Sequence, residues 1–200
     1  MLNTHSLSNT GVDKLAKDLI EQIYTTLELK QISIALESLA QNKNFKNHAS
    51  ELVDDEGLTN QVKKQELLAL ISQLEIEKLT DFFAKILDNE CFWVFSAKQF
   101  DYFDNFVQAF QIKTEDIKLI HLVTAIDLQE KDLQKISLDL SETFKKHVII
   151  HLQINPKIIG GIQIRIDNLV FDYSLKAKLG QFQRQWISKL EKTSSLLGRE

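Results

Sequence analysis

The apolar residues change their spacing once, near Ile112, and that change limits the possible folds more than any other feature of the chain. Before it they recur every three or four residues, the period of helices with one buried face. Val12, Leu15, Leu19, Ile20, Ile23 and Leu27 form the first stripe, behind a polar start at residues 1–11 that is expected to fray. Ile32, Ala35, Leu36 and Leu39 place a second helix over Lys30–Gln41. Phe45, Ala49, Leu52 and Val53 mark a short third, closed by Asp54-Asp55-Glu56-Gly57. Thr59 reads as the N-cap of a fourth helix that reaches the neighbourhood of Leu74. Leu79, Phe82, Phe83, Ile86 and Leu87 mark a fifth, and Phe100, Phe103, Phe106, Val107 and Phe110 a sixth. One proline and six glycines in 200 residues leave few positions that would break these helices.

After Ile112 the pattern turns to alternation. Ile117–Val123 is short, apolar and β-branched, and is predicted to be a strand. Leu133, Ile136, Leu140 and Phe144 give one more helix. Val148, Ile150, Leu152 and Ile154 alternate with Ile149, His151 and Gln153, which predicts a strand with one apolar face. Ile162, Ile164 and Ile166 alternate again, Asp167-Asn168 occupies a two-residue turn, and Leu169–Phe171 returns as a hairpin strand. A last helix carries Leu175, Leu179, Phe182, Trp186 and Leu190 on one face, capped by Ser174 or Asp172, and is expected to pack on the hairpin before a polar tail from Thr193. The expected fold is α+β: an N-terminal six-helix bundle over residues 1–112, followed by a small C-terminal α/β domain with a β-hairpin over 113–200.

The residues offer little chemistry. The net charge is −4, so no basic field draws nucleic acid or anionic lipid, and Lys145-Lys146-His147 is too short a run to do so. Cys91 is alone and cannot form an internal disulfide, and its neighbours Phe92-Trp93-Val94-Phe95 indicate either core or a docking patch. No apolar run is long enough for a membrane span, and no secretion signal opens the chain. His147 and His151 share a strand face, but no carboxylate or thiolate completes a zinc site. Gly160-Gly161 precedes a strand rather than a helix, so no helix N-terminus faces a phosphate there. No catalytic, cofactor-binding or metal-ligating residues are expected.

Several ordered segments resemble one family. Asn155-Pro156-Lys157-Ile158-Ile159-Gly160-Gly161, then Ile164-Arg165-Ile166-Asp167, then Val170-Phe171-Asp172-Tyr173-Ser174-Leu175-Lys176-Ala177-Lys178-Leu179, are similar to the C-terminal signature of the delta subunit of F-type ATP synthases, called the oligomycin-sensitivity-conferring protein in mitochondria. Val123–Leu128 and Lys14–Ile20 are similar to upstream stretches of the same family, with Leu15 in place of an aromatic and Asp18 in place of a small apolar residue. The signature residues in this chain are Pro156, Ile159, Gly160, Gly161, Arg165, Asp172, Ser174 and Leu179.

The resemblance implies a non-catalytic stator connector without cofactors. It implies that the N-terminal domain grips N-terminal helices of alpha subunits and the C-terminal domain binds b-type stalk subunits. The implied alpha groove contains Leu15, Ala16, Leu19, Phe82, Phe83 and Ile86. A peripheral complex on the cytoplasmic face of a bacterial inner membrane is expected, or else on the mitochondrial matrix or plastid stroma face. No membrane insertion, nucleic-acid binding or homo-oligomer is expected. Two other readings compete: a small α/β nucleotide-binding enzyme built around Gly160-Gly161, and a regulatory adaptor sharing the fold. Saturable nucleotide binding would favour the first, and failure to bind alpha and b subunits would favour the second.

Overall fold

The structure is a computed structural model that describes the backbone of residues 4–96 and 101–197 and the side chains of residues 11–96 and 101–188. It divides into two compact units, Met1–Ile117 and Lys118–Glu200.

The described part of the first unit is helical: α1 (Thr4–Ile20), α2 (Thr26–Gln41), α3 (Lys43–Asp54), α4 (Asn60–Ser72), α5 (Glu77–Asp88) and α6 (Tyr102–Thr114), with a 3-10 helix at Cys91–Phe95. The first helix starts at Thr4, ahead of its apolar stripe, and stops at Ile20 rather than continuing to Leu27. The reason lies in Thr25-Thr26-Leu27-Glu28, a capping box. The Thr25 hydroxyl accepts from the Glu28 amide, and the Glu28 carboxylate accepts from the Thr25 and Tyr24 amides. That reciprocal cap starts a new helix at Thr26, and Leu27 ends exposed on it. Phe100 of the expected sixth stripe lies outside the described residues.

Phenylalanines fill the centre of this unit. Phe82 and Phe83 of α5, Phe103 and Phe106 of α6, and Phe95 are buried, with ring centroids 5.5–6.4 Å apart in tilted, stacked and edge-on pairs. Val94 and Phe95 are buried and belong to the core, whereas Cys91, Phe92 and Trp93 are half-buried, Trp93 meeting the Tyr102 ring edge-on at 5.3 Å. Polar links tie helix to helix around it. Lys78 of α5 donates to Glu28 of α2 at 2.6 Å, and Lys46 of α3 bridges Asp101 and Asp104 at the start of α6. Burial alone would raise the Glu28 carboxyl. The hydrogen bonds from Lys78, Tyr24 and Thr25, with the Lys78 charge, outweigh it and hold the group below its ordinary value. With glycine scarce, Glu75, Glu90 and Lys145 take left-handed φ of 56°, 58° and 54° just beyond the ends of α4, α5 and α7.

The second unit is a four-stranded sheet with two helices: β1 (Lys118–Thr124), α7 (Glu130–Phe144), β2 (Val148–Ile154), β3 (Ile162–Ile166), β4 (Leu169–Asp172) and α8 (Leu175–Leu197). The strand order is β2-β1-β3-β4. β1 and β2 are parallel and joined through α7, as a parallel pair requires a crossover. β3 and β4 form an antiparallel hairpin around Asp167, whose φ is 50°. One sheet face packs on α7. Ile120, Val148 and Ile166 form one cluster with Leu140 and Phe144, and Leu122, Leu133 and Ile150 form another with Ile136 and Leu152. Ser137, buried inside α7, donates to the Val148 carbonyl, and the Ser141 hydroxyl accepts from the Val148 amide at 2.9 Å. Two serines thus dock the helix on β2.

The apolar face expected of β2 packs with α7 through Val148, Ile150 and Leu152, but burial is not confined to it. Val148, Ile149 and Ile150 are all buried, on both faces, whereas Ile154 at the far end is exposed. Burial here follows position along the strand as well as its face. The mixed α+β class stands, with helices preceding a small sheet that carries a hairpin.

Candidate functional site

The segment Asn155–Gly161 is held in a tight knot. The Asn155 side chain accepts from the Lys157 amide, and Pro156 opens a one-turn 3-10 helix ending at the buried Ile158. The Gly160 carbonyl then accepts from the Leu175 amide at 2.9 Å, and the Ile162 carbonyl accepts from Tyr173 at 2.9 Å. Gly161 has φ +78°, and a Cβ there would lie 2.4 Å from the Tyr173 carbonyl oxygen. Backbone therefore packs on Gly161 too closely for any side chain, and the glycine pair serves this close approach ahead of a strand, not the start of a helix.

The same knot fixes the start of α8. Ser174 is buried and its hydroxyl accepts from the Ala177 amide, so Ser174 is the N-cap. Asp172 accepts from the Ser174 amide and from Gln163. Hydrogen bonds from the Ser174 hydroxyl and amide hold the Asp172 carboxyl below its ordinary value. Of the signature residues, Pro156, Ile159, Gly160, Gly161, Asp172 and Ser174 therefore meet at the junction of β4 and α8. Arg165 instead lies along β3 between His121 and Val170, and Leu179 lies one turn out on α8.

Beyond its first turn α8 presents apolar side chains to solvent. Leu175, Leu179, Phe182 and Trp186 follow a four-three-four spacing, and the last three are 59%, 61% and 56% exposed. The Phe182 and Trp186 rings lie 6.3 Å apart. The outer hairpin strand is bare too, with Leu169, Val170, Phe171 and Tyr173 exposed. The expected packing of α8 on the hairpin is thus not observed. The cap and the Leu175–Gly160 hydrogen bond anchor the helix through its first turn, and it rests there on the Pro156–Ile158 turn. The backbone of α8 continues through Thr193 to Leu197, where a tail was expected; the side chain of Leu190 lies outside the described set. Scattered exposed apolar residues are normal, but a contiguous stripe with two aromatics is a candidate interaction surface. The spacing was legible in the sequence; its exposure was not, because periodicity gives a face without giving its partner.

The six alpha-groove candidates are all buried in the first unit. Leu15, Ala16 and Leu19 lie on α1, which packs on α6, while Phe82, Phe83 and Ile86 lie on α5, and both phenylalanines meet Phe106 of α6. In the free chain these residues are core. His147 lies at the edge of β2, one residue before it, and His151 lies beside His121 of β1 with ring centroids 5.0 Å apart. Among the described residues no three His, Cys, Asp or Glu side chains gather in a metal-binding group, and no helix is long and apolar enough to cross a membrane.

Comparison with known proteins gives a consistent result. The family model described as ATP synthase delta (OSCP) subunit matches residues 12–186. The ATP synthase subunit delta of Pelagibacter ubique is 25% identical over 191 residues, spanning 94% of this chain and 99% of that protein. Its counterpart in Alkaliphilus metalliredigens is 23% identical over 176 residues, spanning 86% and 93%. A chain in the cryo-EM structure of the Toxoplasma gondii mitochondrial ATP synthase hexamer is 14% identical, with a TM-score of 0.40 over 88% of this chain and 97% of that chain. The assignment stands on the sequence match.

Proposed function

Because the chain belongs to the ATP synthase delta (OSCP) subunit family, and is thus a structural, non-catalytic subunit of the peripheral stalk of F-type ATP synthase, we propose that its two units hold two different partners. The N-terminal unit acts as a six-helix bundle that grips N-terminal helices of alpha subunits. Helices α1 and α5 frame that grip, with Leu15, Ala16, Leu19, Phe82, Phe83 and Ile86 beneath the contact surface as its support. The C-terminal unit binds the end of the b-type stalk. The assembly lies on the cytoplasmic face of a bacterial inner membrane.

The mechanism is mechanical. Rotation of the central stalk applies torque to the alpha/beta hexamer, and work is coupled only if the hexamer is held against the membrane-embedded stator. A connector meets that need by burying apolar surface at both ends. A standard interface removes about 800 Å² per partner from water, enough for tight binding when its anchors are good. No group needs an unusual reactivity for this task.

The exposed stripe of α8 carries the stalk-binding part of this reading. An apolar helix face without intramolecular cover fits a helix partner whose anchors recur at the same spacing. Trp186→Asp and Phe182→Asp are expected to weaken capture of the b-type stalk segment by the full chain about tenfold or more. Circular dichroism should stay unchanged, since both side chains are solvent-exposed. Undiminished capture by both variants would remove α8 from the stalk interface.

A further inference from the structure

β1 and β2 run parallel with His121 directly opposite His151. Ile120 and Leu122 flank His121 in sequence, Ile150 and Leu152 flank His151, and all four belong to the apolar clusters under α7. Side chains alternate along a strand, so both imidazoles stand on the other face of the sheet. Both are exposed, with ring centroids 5.0 Å apart and planes at 64°. Neither ring belongs to the apolar clusters that hold the unit together.

That separation has a chemical meaning. Imidazole nitrogens bind zinc at about 2.0–2.1 Å in tetrahedral geometry, and two rings sharing one such ion have centroids about 5 Å apart. The strand register therefore supplies the spacing of a two-histidine chelate, and side-chain rotation at an exposed position can supply the aim. Strand pairing has also closed the chain between residues 121 and 151, so a metal does not have to. Each imidazole has two nitrogens, and a hydrogen bond at one leaves the other for a metal. Two features keep the site weak. Arg165 is the antiparallel partner of His121 and shares its face, so its charge opposes a bound cation. Among the described residues no third His, Cys, Asp or Glu side chain joins the pair.

We propose that His121 and His151 form a two-histidine site for a divalent transition-metal cation of the zinc, nickel and copper class, with water completing the coordination. Imidazole suits these ions, whereas magnesium and calcium prefer oxygen ligands that the pair lacks. With two protein ligands the ion exchanges readily, so the site is a reversible one that links β1 to β2 when filled.

Calorimetric titration of the full chain with zinc tests this. The unchanged chain should bind zinc, and His121→Gln and His151→Gln should each weaken that binding about tenfold or more. His147→Gln, altered one residue before β2, should bind as the unchanged chain does. In nuclear magnetic resonance spectra of the unchanged chain, zinc should move the ring signals of His121 and His151 together, and magnesium should move neither. This second measurement needs no variant to fold. No zinc binding by the unchanged chain, or binding that survives both substitutions, would overturn the proposal. Arg165 could instead hold an oxyanion together with the pair, and inorganic phosphate is the probe for that. Phosphate that moves both ring signals while zinc moves neither would overturn the metal site.

Discussion

Replacing Phe83 with alanine is expected to cost the N-terminal unit about 3–5 kcal/mol of unfolding free energy. The side chain is fully buried and meets four other phenylalanine rings, Phe82, Phe95, Phe103 and Phe106, from α5, the 3-10 turn and α6. Removing the ring forfeits its transfer free energy and leaves a cavity whose lining comes from several elements. Such a lining closes poorly, so the loss should fall toward the upper end of the range. Denaturant unfolding followed by far-ultraviolet circular dichroism measures it. A loss below about 1 kcal/mol would mean that the ring lies at a surface, as an open groove lining would require. Phe83 thus separates the two roles that the apolar pattern alone left joined.

Gly161→Val should be the most damaging single change in the C-terminal unit, at about 2–4 kcal/mol from backbone strain and overpacking together. The φ of +78° disfavours any side chain, and a Cβ would lie 2.4 Å from a main-chain oxygen that cannot move without shifting the Ser174 cap. Gly160→Ala is the internal control. Its Cβ would meet the end of the flexible Leu175 side chain at 2.9 Å, which can rotate away, so its cost should be clearly smaller. Equal losses at the two positions would contradict the knot geometry. Thermal unfolding of the two variants decides it.

What the sequence made legible follows from what periodicity measures. Apolar spacing locates an element and its face, and it found α2 to α7 and the four strands to within a few residues. It could not find where α1 ends, because the apolar stripe runs on through Ile23 to Leu27 and the break comes from the cap at Thr25. The Thr-x-x-Glu signal was present there and outranks hydrophobic spacing, since it satisfies amide groups that no apolar residue can. The buried Ser137 gave no signal, because a serine in a helix reads as solvent-facing until its acceptor, the Val148 carbonyl, is known. The face of α8 was readable and its exposure was not. Burial is a property of a pair of surfaces, and apolar spacing reports only one of them. The positive φ of 69° at Ile159 was equally hidden, since an Ile-Ile-Gly-Gly stretch does not reveal that a residue other than glycine takes such a turn.

The central claim, that this chain resists torque between hexamer and stalk, is tested most directly in inverted membrane vesicles that carry the synthase with and without it. ATP hydrolysis and ATP-driven proton uptake are measured in the same vesicles. The account predicts that removal leaves hydrolysis running while proton uptake falls to background, and that adding back the purified chain restores uptake. Full proton uptake in vesicles lacking the chain would contradict it.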